Sequence, residues 1–411
     1  MNYTPWRLSF YILATGMLVI GACKKLVPEY REALSADAGF SQTTFEPVTG
    51  RTTMYSNVFS NPNNSSSYPI DFKIVNARRF SGEAAPELTD IFPVLVWKQA
   101  YTGNEVSLAE IEKKRATEYH NVFEVRQHSG DFVMWSSSNS RILRCQADSG
   151  YIFDIEMSNG GGRRYFRNMR LMPYRERPYE PSNLNAITGQ SVSNGIYPSV
   201  TSNIKGDSSN QYLSSADIDV YIRKANDGKP GGNSISFMFL DKYFQPINPA
   251  KFALTDWNNL LHGFNMQKTA TRVTYDVAFP MPLVQLPTRY TTADGRRCSV
   301  RFSWSRIGFG GMQQKAVLGL DFAIYEGGNW EIVFAFKKTT PNSPMTNPTT
   351  LTKKLNTNVM RPSITILLLL LLCGISPLGV LAQEKIKVQG VVTSKVDNTT
   401  KAGVTISVGK R

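Results

Sequence analysis

The sequence predicts a mainly β protein: two β-sandwich-like domains with few short helices, behind an N-terminal signal peptide and ahead of a C-terminal apolar helix. Three observations carry this. From Thr52 onward the chain runs in short stretches rich in β-branched and aromatic residues, separated by Gly, Asn, Asp and Ser. One stretch in the first β region combines helical spacing with a clear helix-start signal. Two apolar leaders, each behind an arginine, stand at residues 1–22 and 360–382.

The first leader has Arg7 as its positive flank, an apolar run from Leu8 to Ile20, then small Gly21 and Ala22 before Cys23. The run is shorter than the roughly 20 residues a membrane span needs, so an export signal is expected. Residues 23–50 read as a tether, with a helix-like piece from Pro28 to Leu34. The first β domain is expected at 51–173. Ile70 to Ile74 alternates at period two, and Phe92 to Trp97 is a continuous apolar run, as in a strand covered on both faces. Asn61 to Ser67 is a loop.

Ser107-Leu108-Ala109-Glu110 predicts a helix start, with Ser107 capping the third amide and Glu110 reaching back. Leu108, Ile111 and Arg115 fall on one side, and Glu110 and Lys114 stand four apart. Val122 to Arg126 and Asp131 to Trp135 read as strands around a turn at Ser129-Gly130. Tyr151 to Glu156 and Arg163 to Met172 read as a hairpin around Asn159-Gly160-Gly161-Gly162, where positive φ is cheap.

Residues 174–215, rich in Pro, Ser, Asn and Gly, are a linker or a set of long loops. The second β domain is expected at 216–338, with strands at Ile218 to Arg223, Ser234 to Leu240, Thr271 to Phe279, Val300 to Arg306, Lys315 to Tyr325 and Trp330 to Phe336. Thr255 or Asp256 would cap a short helix through Trp257, Leu260 and Leu261, stopped by Gly263. Residues 339–359 have the composition of a disordered spacer.

At Met360 the second leader begins, with Arg361, an apolar core from Ile364 to Leu372, and Val380-Leu381-Ala382 before Gln383. Leaders act at the start of chains, so an internal one indicates a downstream reading frame joined to an upstream one. The alternative is a transmembrane segment, since about 18 helical residues reach roughly 27 Å.

A net charge of +14 suggests nucleic acid at first sight, but an exported protein meets anionic lipids and glycans instead, and no nucleic-acid partner is expected. Cys145 and Cys298 are the two cysteines of the body; one disulfide and two separate buried thiols are both compatible with the spacing. His120, His128 and His262 are scattered without metal-ligand spacing. There is no Gly-x-Ser-x-Gly elbow or phosphate loop, and Gly308-Phe309-Gly310-Gly311 lacks the context of a dinucleotide loop. No cofactor, metal or catalytic residue is expected.

Asp217 and Asp219 share a face of a predicted strand. Such a pair could serve a glycosidase, although a solvated edge is the plainer reading. Trp97, Trp135, Trp257, Trp304 and Trp330 are sugar platforms or core residues. The densest basic and aromatic patch joins Arg163, Arg164, Tyr165, Arg167 and Arg170 with Arg175 and Arg177. Guanidinium forks and aromatic faces suit an anion or a sugar, so the first five are the candidate ligand surface. Arg175-Glu176-Arg177-Pro178-Tyr179-Glu180 reads more plainly as a self-satisfied structural knot.

Leu18-Val19-Ile20-Gly21-Ala22-Cys23 resembles the lipobox of bacterial lipoproteins. That resemblance implies lipidation of Cys23 and an anchor in membrane lipid. Lys387 to Thr393 and Ala402 to Val408, behind the second leader, resemble the start of the regulatory-like β domain of SusC/RagA-type TonB-dependent transporters. Residues 383–411 would then be a truncated copy, with no plug or barrel and no transport activity carried over.

The body, about residues 20–338, resembles an uncharacterised Bacteroidota lipoprotein family associated with SusC/SusD-type uptake clusters. The residues that carry this are Cys23-Lys24-Lys25, Val96-Trp97-Lys98 through Tyr101-Thr102-Gly103, Arg175 through Glu180, and His262-Gly263-Phe264-Asn265-Met266-Gln267. The lipobox, the β-rich body and the transporter-like tail together point to a non-enzymatic outer-membrane lipoprotein that binds a glycan or a partner protein, such as a SusC/SusD-type complex, beside a TonB-dependent transporter. A carbohydrate-active enzyme and a purely structural surface protein are the alternatives.

Overall fold

The computed structural model describes residues 32–147, 149–226 and 231–342. The first leader, Cys23, residues 343–359 of the spacer, the second leader and the transporter-like segment lie outside the described residues. Twenty β-strands and one α-helix form among the described residues, in agreement with the mainly β reading. No helix among them is long and apolar enough to cross a membrane.

In the first part, β1 (Gly39–Phe40), β2 (Thr44–Phe45), β3 (Thr53–Tyr55), β4 (Phe59–Ser60) and β5 (Asp71–Arg79) are followed by β6 (Ile91–Trp97). Helix α1 (Leu108–Lys113), β7 (Arg115–Asn121), β8 (Phe123–Val125), β9 (Phe132–Met134), β10 (Tyr151–Asn159) and β11 (Gly162–Leu171) complete it. One sheet has the order β2-β11-β10-β5 and another β3-β9-β8. Their apolar faces meet through aromatic rings, with Phe45 against Phe132 at 4.4 Å and Phe123 against Phe153 at 5.5 Å between centroids. Strand β10 shows why: Tyr151, Phe153, Ile155 and Met157 are fully buried, while Glu156 and Ser158, on either side of Met157, face outward. Burying one such side chain contributes about 1.5–3 kcal/mol.

Several expectations are corrected here. Residues 39–50 are not tether but fold: β2 runs parallel to β11, Phe45 is fully buried, and the Thr49 amide donates to the Tyr174 carbonyl at 3.0 Å. Two isolated phenylalanines among Ser and Thr supply the apolar anchor. Strand β6 is not covered on both faces. It pairs only with β7, and Ile91 and Leu95 are 65% and 46% exposed, while Val94 on the other side packs with Val133 and Trp135.

Helix α1 starts as expected, with the Ser107 hydroxyl accepting from the Glu110 amide at 3.2 Å. The Glu110 carboxylate, however, accepts from the Val106 amide rather than from Ser107, and Lys114 turns away from it to Glu105 at 2.6 Å.

Residues 174–215 are long loops stitched to the body. Their short strands β12 (Tyr179–Glu180) and β13 (Val200–Ser202) both pair with β19 (Gln313–Ile324), which also pairs with β18 (Cys298–Ile307). The facing sheet has the order β14-β20-β15-β17-β16, made of β14 (Ile218–Lys224), β15 (Ser234–Leu240), β16 (Phe264–Lys268), β17 (Arg272–Asp276) and β20 (Asn329–Phe336). Within it β15 and β20 are parallel. Phe239 of β15 meets Phe302 of β18 at 4.8 Å across the layers.

The helix expected after Thr255 does not form. Asp256 accepts from the Asn259 amide, but the Trp257 carbonyl, which a helix would spend on residue 261, accepts from the Tyr275 hydroxyl at 2.5 Å instead. Residues 339–342, expected in the spacer, belong to the fold: Thr339 is buried and the Asn342 carbonyl accepts from the Trp304 indole.

The interior holds two large apolar cores, one between Ala38 and Leu171 and one between Ile196 and Phe336. A small cluster of Ile111, Ala278 and Leu283, with Trp97, Tyr101, Leu108 and Phe264 against it, draws on both parts of the chain. The described residues lie in one compact unit.

Candidate functional site

Alternation along β11 divides the predicted ligand surface. In register with β10, Arg163 stands opposite Ser158, Tyr165 opposite Glu156 and Arg170 opposite Ile152, all on the outward side. Arg164 points the other way, donating to the carbonyls of Ser35 and Ala38 at 2.7 and 2.6 Å over the Phe166 ring, and so holds the N-terminal segment. Arg167 and Asn168 sit together in a bulge opposite Asp154. Burial would raise the Asp154 carboxyl, but hydrogen bonds from Asn76 and the Asn168 amide outweigh it and hold the group below its usual range. That acid pins the bulge. Arg170 lies over Phe80, beyond it.

On the near side of the bulge the outward residues of three strands converge. Asp71 and Lys73 of β5 stand beside Ser158 and Glu156 of β10, which in turn stand beside Arg163 and Tyr165 of β11. Asp71, Lys73, Glu156 and Ser158 border an open cleft of about 330 Å³ with Gln127, and Arg163 and Tyr165 stand beside it. The Tyr165 hydroxyl donates to Glu156 at 2.9 Å, Arg163 lies 3.6 Å from the same carboxylate, and Gln127 and His128 approach Asp71 at 3.1 and 3.0 Å. Tyr165 is 46% exposed and offers a flat aromatic face. Two carboxylates accept hydroxyl protons, while Lys73, Gln127 and Arg163 donate, so the cleft suits a polyhydroxylated ligand. The composition of the basic and aromatic patch pointed to Arg163 and Tyr165. It missed Asp71, Lys73 and Gln127, which lie far away in the chain and join only through strand pairing.

The other expectations resolve as follows. Asp217 lies ahead of β14 rather than on it, where it accepts from the Ser214 amide and hydroxyl and pairs with Lys338 at 2.8 Å. Lys338 foremost holds its carboxyl down to about 2. Asp219 pairs with Lys337 at 3.0 Å, so each acid has its own lysine. Trp135, Trp257, Trp304 and Trp330 are core residues. Cys145 and Cys298 are both free thiols. Among the described residues no group of His, Cys, Asp and Glu side chains is placed to hold a metal ion.

A second polar constellation is buried. The Tyr101 hydroxyl meets Nδ1 of His262, and Nε2 of His262 donates to the Glu105 carbonyl at 2.8 Å. Tyr290 stacks on the imidazole at 5.0 Å, and Cys298 lines the same enclosed space. Burial pushes the Cys298 thiol up to about 12 and raises the Tyr101 phenol well above its ordinary range. A thiol held protonated is no nucleophile, and both imidazole nitrogens are already engaged. The third histidine, His120, sits between Glu118 and Glu124, 3.1 Å from each, with its ring against Trp135.

One family model, described as a domain of unknown function (DUF5007), matches residues 59–344. No curated protein and no solved structure matches the chain.

Proposed function

The chain belongs to that family, and on that premise we propose a lipid-anchored, non-enzymatic glycan-binding protein of the outer membrane, accessory to a TonB-dependent uptake system. The observation that carries the binding role is the outer cleft of β5 and β10, where Asp71, Lys73, Gln127 and Glu156 surround an open space beside the exposed ring of Tyr165 of β11. The lipobox-like leader ending at Cys23 supports the anchor, and the SusC/SusD-type setting follows from the resemblances of the sequence. Substitutions Tyr165→Ala and Glu156→Gln test the site. Wild type retaining a glycan on an array that both variants lose supports the reading; identical profiles, or no glycan retained by wild type, sink it. Palmitate incorporation that disappears in Cys23→Ser tests the anchor separately.

A second reading, a protein partner, rests on a different face. The β6–β7 ribbon turns Ile91, Leu95 and Tyr119 to solvent, at 65%, 46% and 71% exposure. Apolar groups exposed together mark interaction surfaces. Capture of the neighbouring transporter by wild type but not by Ile91→Asp would favour it.

A further inference from the structure

We propose that Arg51, Arg177 and Arg297 form a second ligand site, one that takes an oxyanion, a carboxylate or sulfate group, where the loop after β2 meets β12 and the end of β19. Three guanidiniums converge on a single acid. Arg51 lies 2.6 Å and Arg177 3.6 Å from Oε1 of Glu180, and Arg297 lies 4.0 Å from Oε2. The nearby carboxylate of Glu176 is occupied by Thr49 and Ser140. With Glu176 counted, two negative charges against three positive ones leave this half-buried cluster with one excess positive charge.

The arrangement is held in place. Arg51 lies flat over the Tyr325 ring, 3.7 Å from its centroid, and its Nη2 donates to the Arg177 carbonyl at 3.1 Å. The Nε atoms of Arg51 and Arg177 are buried and make no hydrogen bond among the described residues. An acceptor that answers several guanidinium donors at once is a planar or tetrahedral oxyanion, which arginine forks match in shape and charge. Arg297 is exposed and flanks the cluster on its solvent side.

The site is separate from the outer cleft, and each is tested by its own variant. The mature full chain would be titrated with sodium sulfate, glucuronate, acetate and glucose, at ionic strength matched with chloride, following calorimetric binding and the thermal midpoint. Arg297→Ala is the test variant, because its exposed side chain makes one long ion pair, and circular dichroism is expected to show its fold intact. Sulfate and glucuronate are expected to bind wild type and raise its midpoint beyond chloride, glucose to do neither, and Arg297→Ala to weaken binding about tenfold, as one charge-assisted contact is worth. Arg297→Lys should restore part of it. Glucuronate binding without acetate assigns an acidic sugar as the source, and equal binding of both assigns a small free acid. Sulfate and glucuronate acting no differently from chloride, or binding Arg297→Ala as well as wild type, would overturn the proposal.

Discussion

Replacing Glu105 with glutamine isolates one buried charge whose contribution can be worked out. Its side chain is fully buried and accepts from the amides of Thr102 and Gly103 at 2.9 Å each, from the Thr102 hydroxyl at 3.1 Å and from Lys114 at 2.6 Å. Burial alone would raise the carboxyl, but these donors outweigh it and bring the group from 4.5 down to about 2. A folded value below the unfolded one stabilises the fold fully above pH 4.5, and that part is lost as pH falls through about 2. The difference corresponds to about 3 kcal/mol at pH 7 and about 1 kcal/mol at pH 3. Urea unfolding of wild type and Glu105→Gln, followed by tryptophan fluorescence at both pH values, reads it directly. All other carboxylates titrate in both proteins and cancel in the difference. The gap should therefore narrow by about 2 kcal/mol on going from pH 7 to pH 3. A gap that stays constant with pH would refute the assignment of an ionised, donor-held carboxylate.

Three further outcomes follow from burial and pairing. Phe45→Ala should cost about 3–5 kcal/mol in urea unfolding, since the ring is fully buried between two sheets; a cost below about 1 kcal/mol would return this segment to the tether. Tyr101→Phe removes the hydroxyl that meets His262 and should cost about 1–3 kcal/mol by the same measurement. Cys298, buried with its thiol pushed up to about 12, should resist iodoacetamide at pH 8 in the native protein and react on unfolding, as peptide mass mapping will record.

The strands were legible where side chains alternate or crowd. Ser234–Leu240 is found where its apolar run placed it, and β14, β18, β19 and β20 differ from their expected ranges by one or two residues at an end. What the sequence could not reveal is pairing across distance. The parallel contact of β15 with β20 joins residues about 95 positions apart, and no local pattern encodes it. Strand β16 was missed because Phe264 to Lys268 carries only two apolar residues, at Phe264 and Met266. The arginine patch was visible as composition, yet period two split it: Arg163 went to the outer face beside Glu156 and Arg164 to the N-terminal segment.

Among the described residues, two of the stretches that carry the family resemblance meet each other and a third meets other parts of the chain. Val96 to Gly103 and His262 to Gln267 come together where Tyr101 meets His262, and the Glu105 carbonyl closes the contact from the other side. Arg175 through Glu180 reaches Arg51 and Tyr325. The first meeting is saturated: both imidazole nitrogens are engaged, the thiol is held protonated, and the Glu105 side chain is spent on four donors. A saturated polar network orients packed elements and has no group left over for a ligand. The second is unbalanced, with three guanidiniums against the carboxylates of Glu180 and Glu176. Residues chosen only to join two parts of a chain would balance their charges, as Glu105 and Lys114 do. The imbalance at Arg51, Arg177 and Arg297 is therefore what separates a ligand site from a joint.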